Sequence, residues 1–137
     1  MARIIAIDFG MKRVGIASTD PLQIIASPMT TVTNKESVQF ITDYCTREDV
    51  EIIVVGQPFR MSGELSGIEV EIVKFIDKLK EKLPSMPIAR VDERYTSKMA
   101  MQALIASGVK KKQRRDKSLL DSTSASLILQ DYLENIQ

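Results

Sequence analysis

Short apolar runs separated by polar breaks alternate along the chain, and their spacing predicts strands first and then helices between strands. The first two strands are predicted at 3–9 and 13–19, joined by a tight turn at 10–12. A third strand is predicted from about 24 to 32, after Pro21. Connections this short predict an antiparallel opening of three strands.

Helices and strands alternate in the remainder. Asn34 is the expected N-cap of a helix with Val38, Ile41 and Tyr44 at helical spacing. The next segment, "EIIVVG" (51–56), is apolar throughout, as in a strand covered on both faces. The later predicted elements begin with a loop over 57–67 and a helix over 68–83 whose apolar stripe includes Val73. The segment "IARVDERYTS" (88–97) begins as a strand that ends near Asp92 and Glu93, and a helix through Ala103 that stops at Gly108 follows. A last helix is predicted from about 117 to 133.

The order βββαβαβαα predicts one α/β domain spanning 1–137, with a mixed five-stranded sheet and flanking helices. A chain of 137 residues, 44% hydrophobic and 27% charged, has the usual composition of a globular protein. No apolar stretch approaches the roughly 20 residues of a membrane span, and no signal segment is visible at the start. We therefore expect a cytoplasmic protein with no membrane partner.

The residue types restrict the chemistry. Histidine is absent, which excludes Ser-His-Asp triads, histidine bases and His-rich zinc sites. Cys45 is the only cysteine, so no internal disulfide can form, and we expect it to act as a small buried hydrophobe. Catalysis must therefore come from carboxylates, Lys, Arg, hydroxyls or a bound hard metal ion.

Acidic residues follow two predicted strands and begin the last helix. Asp8 ends the first strand, and Asp92 and Glu93 end the fifth. Ligands of open α/β sheets bind outside the carboxyl ends of strands, so these groups are expected to converge. Asp121 lies on the stripe that continues through Ala125, Ile128 and Tyr132, a stripe expected to face the sheet. A buried acid there must be uncharged, paired or bound to a metal.

Three carboxylates on separate elements, without His or Cys, favour Mg²⁺ or Mn²⁺ over zinc. Phosphodiester hydrolysis is the chemistry that such a set would support beside a basic surface. Asp116 lies about 140° around the helix from Asp121 and cannot share its face. Whether Asp92 or Asp116 assists the metal site stays open.

Basic residues supply the expected polyanion surface. The segment "KKKQRRDK" (110–117) carries a local charge of +5 in a chain of net charge +1, a pattern typical of nucleic-acid binding. A solvated loop without a ligand is the alternative. The candidate nucleic-acid-binding residues are Lys12, Arg13 and Arg94, which flank the acids, and Lys110, Lys111, Lys112, Arg114 and Arg115 in the basic segment.

Four motifs, "AIDFGMKRVGIAS", "VVGQPFRMSGELSG", "DERYTS" and "KSLLDSTSASLIL", resemble in order and spacing those of the YqgF family. This family is similar to the RuvC Holliday-junction resolvase and has a ribonuclease-H-like fold. The resemblance implies that Asp8, Glu93 and Asp121 are catalytic and metal-binding. It further implies a nuclease that matures the 5′ end of pre-16S ribosomal RNA, with junction resolution as the alternative. Gln57, Ser62 and Ser124 depart from the family's usual pattern.

Other functions remain open at this level. An apolar strand followed by Asp-x-Gly also resembles the phosphate loop of sugar kinases and actin-like ATPases, although those proteins close two such domains around ATP. A module that binds structured RNA without cutting it is a third possibility. The protein is expected to be a monomer or a homodimer, and a resolvase should dimerise because a four-way junction has near two-fold symmetry.

Overall fold

The computed structural model of the chain describes residues 2–58, 67–92 and 117–135, with the side chains of 117–120 left out. Five strands and three helices lie in these ranges. They are β1 (Arg3–Asp8), β2 (Arg13–Thr19), β3 (Ala26–Thr33), α1 (Asn34–Arg47), β4 (Val50–Gln57), α2 (Glu69–Lys82), β5 (Ile88–Asp92) and α3 (Lys117–Asn135).

The five strands form one mixed sheet in the order β3-β2-β1-β4-β5. β2 runs antiparallel to both β1 and β3, whereas β1, β4 and β5 are mutually parallel. The predicted α/β class, the mixed five-stranded sheet and its antiparallel opening are thus confirmed. The predicted helix that stops at Gly108 lies outside the described residues.

Both faces of the sheet are covered, because alternate residues of each strand meet different helices. In β1, Ile5 and Ile7 belong to a core shared with α1 and α2. Ile4 and Ala6 belong to a second core, built against α3 with Ala125, Ile128 and Leu129. This arrangement explains why β4 is apolar at successive positions. None of the described helices is long and apolar enough to cross a membrane.

The start of α1 differs from its prediction. Thr33 occupies the N-cap position, and Asn34 is the first helical residue. The Asn34 side chain instead donates through Nδ2 to the Gly10 carbonyl oxygen at 2.8 Å. Its backbone N–H donates to the Lys12 carbonyl oxygen at 2.9 Å. Asn34 therefore fastens the turn between β1 and β2 instead of capping its own helix.

The start of β3 was also predicted too early, because Asp20 organises the preceding residues into a loop. Its carboxylate accepts the backbone N–H groups of Leu22, Ile24 and Ile25 at 2.7–3.2 Å. These N–H groups are consequently unavailable for strand pairing. Gln23 takes a left-handed conformation with φ of 58° in the same loop.

One residue of the predicted α2 stripe was assigned to the wrong face. Val73 is 45% exposed, whereas Phe75 is 5% exposed and packs in the core with Ile72, Ile76 and Leu79. The predicted apolar stripe of α2 includes Val73 because helical periodicity does not decide whether a residue at the flank of an apolar face is buried. The ring of Phe75 lies 5.1 Å from that of Phe9, centroid to centroid.

The ends of several strands and of α3 differ slightly from their predicted positions. β1 ends at Asp8 and leaves Phe9 in the turn, while β4 and α3 extend slightly past the predicted limits. β5 ends at Asp92, where its described pairing with β4 also ends. β3 forms one edge of the sheet and contains Pro28, opposite Ala17 at a register irregularity of β2. Proline is tolerated in sheets on such edge strands.

A buried hydroxyl on α3 generates a prediction. Ser124 is 2% exposed, and no group among the described residues bonds with its Oγ. A buried polar group without a partner costs about 1 kcal/mol or more. Ser124→Ala should therefore raise the free energy of unfolding by about 1 kcal/mol, measured by urea denaturation.

Ala125 provides the matched control, since it is completely buried on the same helix turn. Ala125→Ser should lower the free energy of unfolding, because it adds a hydroxyl to an apolar contact. A lower stability for Ser124→Ala would show that the hydroxyl has a partner.

Candidate functional site

The candidate site lies at the carboxyl edge of the parallel strands. β1 ends there at Asp8, β4 at Gln57 and β5 at Asp92. Gln57 is the register partner of Asp92, and β4 lies between β1 and β5. Since neighbouring strands are about 4.8 Å apart, Asp8 and Asp92 are separated by roughly 10 Å across the sheet. The edge is therefore acidic on both sides of β4.

Gly15 brings Asp8 and Asp121 together. In the ladder between β1 and β2, Asp8 is the register partner of Gly15. On the helix side, a Cβ at Gly15 would overlap the backbone carbonyl of Asp121. The first described turns of α3 thus lie directly on the Gly15 backbone, which only glycine allows. Asp8 and the Asp121 backbone consequently both lie beside Gly15.

Asp121 is paired with Arg13. The Arg13 Nε donates to Asp121 Oδ2 at 3.0 Å, and the two side chains are 35% and 24% exposed. Arg13 and Gly15 alternate along β2 with Val14 and Ile16, which face the other core, so Arg13 points to the α3 side. An acid at this inward position was expected to be uncharged, paired or bound to a metal, and among the described residues Asp121 is paired.

Strand alternation places Asp92 on the opposite face of the sheet from Asp8 and Asp121. Asp8 shares the face of Ile4 and Ala6, which is the α3 face. Asp92 is exposed and has the parity of Arg90, whose side chain reaches α2 on the opposite face. Within the described ranges, no group of three His, Cys, Asp or Glu side chains is close enough to hold a metal ion.

Several predicted site residues lie outside the described residues. They are Glu93 and Arg94 after β5, and Lys110, Lys111, Lys112, Arg114 and Arg115 of the basic segment. Asp116 and Ser62, the latter in the predicted loop over 57–67, lie outside as well. The roles assigned to all of them stay predictions. Lys12 is described, and it is exposed in the turn between β1 and β2.

The β1–β2 turn is held in place from two directions. A Cβ at Gly10 would overlap the Arg13 carbonyl oxygen, so the turn is too tight for a side chain there. The two hydrogen bonds from Asn34 fasten it to the start of α1. The turn therefore sets the positions of Asp8 before it and Arg13 after it.

A second ion pair braces the edge from the α2 side. Arg90 donates to both carboxylate oxygens of Glu69, at 2.6 and 3.0 Å, and to the carbonyl oxygens of Val55 and Gly56 at 3.2 and 3.1 Å. The hydrogen bonds from Arg90, with a further one from Gln57, lower the pKa of Glu69 against the opposing effect of burial. This network joins β4, β5 and α2 where β4 ends.

Neither ion pair was predicted from the sequence. The sequence predicts Arg13 as a nucleic-acid-binding residue, and it does not indicate a pair between Arg90 and Glu69, which are 21 residues apart. The available signal was a charged residue within each of two strands, Arg13 in β2 and Arg90 in β5, since a charged residue in a buried strand indicates a buried partner.

Cys45 packs against the α1–α2 core, and burial raises the pKa of its thiol to about 11. A thiol of that pKa is protonated at neutral pH and is not a nucleophile.

Comparison with protein families identifies the chain. The model of the RuvX family, described as Holliday junction resolvase, matches residues 2–135. The chain belongs to the RuvX/YqgF family. The resemblance noted in the four sequence motifs is thereby confirmed.

Relatives of this family member are similar over almost their whole length. A protein of Flavobacterium psychrophilum named "Putative pre-16S rRNA nuclease" is 54% identical over 133 residues, which cover 97% of each chain. Proteins with the same name from Christiangramia forsetii and Bacteroides fragilis are 52% and 48% identical, over 97% and 98% of this chain and 98% and 97% of theirs.

Solved structures confirm the ribonuclease-H-like fold. Thermus thermophilus RuvC in complex with a Holliday junction substrate aligns with a TM-score of 0.59 and 16% identity, over 99% of this chain and 96% of that one. A second RuvC structure from Thermus thermophilus aligns with a TM-score of 0.52 and 16% identity, over 98% and 95%. At such identity the likeness concerns the fold.

The close approach at Gly15 predicts a strong substitution effect in this family member. Gly15→Ala places a methyl group against the Asp121 carbonyl, so α3 must shift away from β2. Overpacking of this kind costs about 1–3 kcal/mol, measured by thermal or urea unfolding. Gly67→Ala is the control, because no atom of the described residues lies within 4 Å of a Cβ at Gly67. Equal stability of the two variants would contradict the proposed contact.

The lowered pKa of Glu69 predicts an acid-dependent loss of stability. Since the folded-state pKa lies below the ordinary value of 4.5, the ionised carboxylate stabilises the fold above that value. This contribution is lost as the pH falls through the folded-state pKa. The stability difference between wild type and Glu69→Gln should therefore be largest at pH 7 and shrink towards pH 3, in urea denaturation.

Glu71→Gln on the same helix is the control for that measurement. Glu71 pairs only with exposed Lys74 at 3.4 Å among the described residues, and such pairs contribute little. The stability of Glu71→Gln should follow that of wild type at every pH. A Glu69→Gln difference that does not change with pH would contradict the role of the Arg90 pair.

Proposed function

We propose that this chain is a divalent-metal-dependent nuclease that hydrolyses phosphodiester bonds in the precursor of 16S ribosomal RNA, at its 5′ end. The observation that carries the proposal is the juxtaposition of Asp8 and Asp121 around Gly15. Membership of the RuvX/YqgF family supports it, as do the names of relatives at 48–54% identity. These names favour ribosomal RNA as the substrate.

Asp8, Asp121 and Glu93 are the residues that would hold Mg²⁺ or Mn²⁺. The two described members fit a hard cation, because both are carboxylates and Asp121 already binds a positive group, Arg13. Glu93 enters on its position in the sequence, two residues after Val91 of the α3 face. When bound, the metal would stabilise negative charge on the phosphate and lower the pKa of the attacking water.

Arg13 and the surrounding backbone would prepare the site. A guanidinium has five N–H donors, and the bond from Nε uses one of them on Asp121. The remaining donors suit phosphate oxygens, for which arginine is well shaped. Arg13 would thus orient Asp121 and attract the scissile phosphate. Lys12 beside it, together with Arg94 and the segment 110–115, would bind neighbouring phosphates.

Resolution of branched DNA is the second candidate, and the description of the matching family model favours it. That activity would require two active sites, and hence a homodimer, on a junction with two-fold symmetry. Ribosomal RNA cleavage would be possible for a monomer. Cleavage of a labelled pre-16S 5′-junction RNA, compared with a four-way DNA junction at equal concentration, distinguishes the two.

Substitution of the paired acids tests the proposed chemistry. Asp8→Asn and Asp121→Asn should each reduce cleavage by at least about 100-fold in Mn²⁺, because one charged oxygen ligand is lost. RNA binding in EDTA should be retained. The measurement is single-turnover cleavage of labelled RNA with fluorescence anisotropy for binding.

Asp131→Asn is the matched control, because Asp131 is exposed on α3 and contacts Asn135, away from Gly15. It should cleave at the wild-type rate. Normal cleavage by Asp121→Asn, or undiminished wild-type cleavage in excess EDTA, would contradict the proposal. RNA binding by wild type without cleavage of either substrate would favour the non-catalytic module.

A further inference from the structure

A cavity of about 370 Å³ lies on the opposite side of the β1–β2 turn from Asp8 and Asp121. It opens between that turn, the start of α1 and the part of α2 from Glu71 to Lys78. Its volume falls within the roughly 300–1,000 Å³ of small-ligand cavities. None of the described residues proposed for catalysis or phosphate binding at the acids lines this cavity.

The lining of the cavity is amphipathic. Its apolar part consists of Phe9, Met11, Val38 and Phe75, of which Met11 is 58% exposed. Its charged part contains three lysines and one acid, Lys35, Lys74, Lys78 and Glu71, and so carries a net positive charge. The three lysines are all exposed. We name this feature the lysine cavity.

The position of Phe9 connects the lysine cavity to the candidate active site. Phe9 follows Asp8 directly, and the alternation of β1 places it on the side of Ile5 and Ile7, opposite Asp8. Its ring packs against Phe75 at the floor of the cavity, with centroids 5.1 Å apart. The acids and the cavity therefore lie on the two sides of one sheet edge, with exposed Lys12 on the turn between them.

We propose that the lysine cavity binds one nucleotide of single-stranded RNA, a few nucleotides from the scissile phosphate. The base would lie against Met11, Phe9 and Val38, and its phosphates would bind Lys35, Lys74 and Lys78. An apolar floor below a basic rim matches a nucleotide, which joins a planar base to an anion. This inference rests on the proposed function in that it takes RNA as the substrate.

The geometry of the turn supports a bound strand that passes over it. The turn is tied to α1 by Asn34, which also lines the lysine cavity. The site and the cavity are thus held at a fixed separation before RNA arrives. A nucleotide anchored in the cavity would set which phosphate reaches Asp8 and Asp121. Binding there would determine the position of cleavage.

Charge removal on α2 provides the test. Lys74→Gln/Lys78→Gln removes two cavity lysines, and Lys80→Gln/Lys82→Gln removes two exposed lysines of the same helix outside the cavity. Both variants lose the same net charge. Affinity for a fluorescein-labelled single-stranded RNA is measured in EDTA between 50 and 400 mM KCl, without cleavage.

The cavity variant should bind about fivefold more weakly per lost contact at about 0.1 M salt, and its log–log salt slope should fall by about 0.7 per contact. The control variant should follow wild type. Equal loss in the two variants would overturn the inference, since long-range charge would then explain it. Absence of RNA binding by wild type would overturn it too, while cleavage of junction DNA would still support nuclease function.

NMR on methyl-labelled protein identifies what occupies the cavity. Uridine monophosphate should shift the Met11 and Val38 methyl signals, and inorganic phosphate at the same concentration should not. A tetraglutamate peptide that produces the same shifts would overturn the nucleotide assignment in favour of an acidic peptide. A shift of the cleavage position along the RNA in Lys74→Gln/Lys78→Gln, but not in Lys80→Gln/Lys82→Gln, would support the positioning role.

Discussion

The contact between α3 and β2 at Gly15 is the constraint on which the candidate site depends. With no side chain at this position, the Asp121 backbone reaches the Gly15 backbone, and Asp121 comes beside the end of β1. Any residue larger than glycine would separate the helix from the strand and so separate the two acids. The same contact lets Ala125 and Ile128 close the core on that face. Packing and site geometry therefore have one common cause.

Charge compensation follows from this proximity. Two carboxylates on either side of one glycine repel each other, and Arg13 reduces that repulsion by pairing with Asp121. On the far side of the sheet, Arg90 gives Glu69 a comparable partner and also satisfies two carbonyls where β4 ends. The carboxyl edge is thus held by an arginine on each face. A substrate would meet a site whose acids are already oriented.

Much of the fold was predictable because strand alternation and short connections leave few alternatives. The positions of Asp8 and Asp121 beside Gly15 follow from the phase of each residue in its strand or helix, whereas their role as metal ligands stays a prediction. The failures involve polar side chains whose hydrogen bonds to the backbone are not indicated by the pattern of apolar residues. Asn34 bonds to Gly10 instead of capping, and Asp20 draws Ile24 and Ile25 out of β3. Pairing between distant residues, as in Arg13 and Asp121, leaves no periodic signal in the chain.

Pro28 on the outer strand has a consequence for how copies of the protein meet. A free sheet edge invites another chain to add a strand, but a proline offers no N–H to such a chain. The register irregularity between Ile16 and Ala17 disturbs the edge at the same level. Pro28 therefore disfavours continuous joining of the sheets of two copies through β3. Concentrated samples should resist strand-mediated aggregation at that edge.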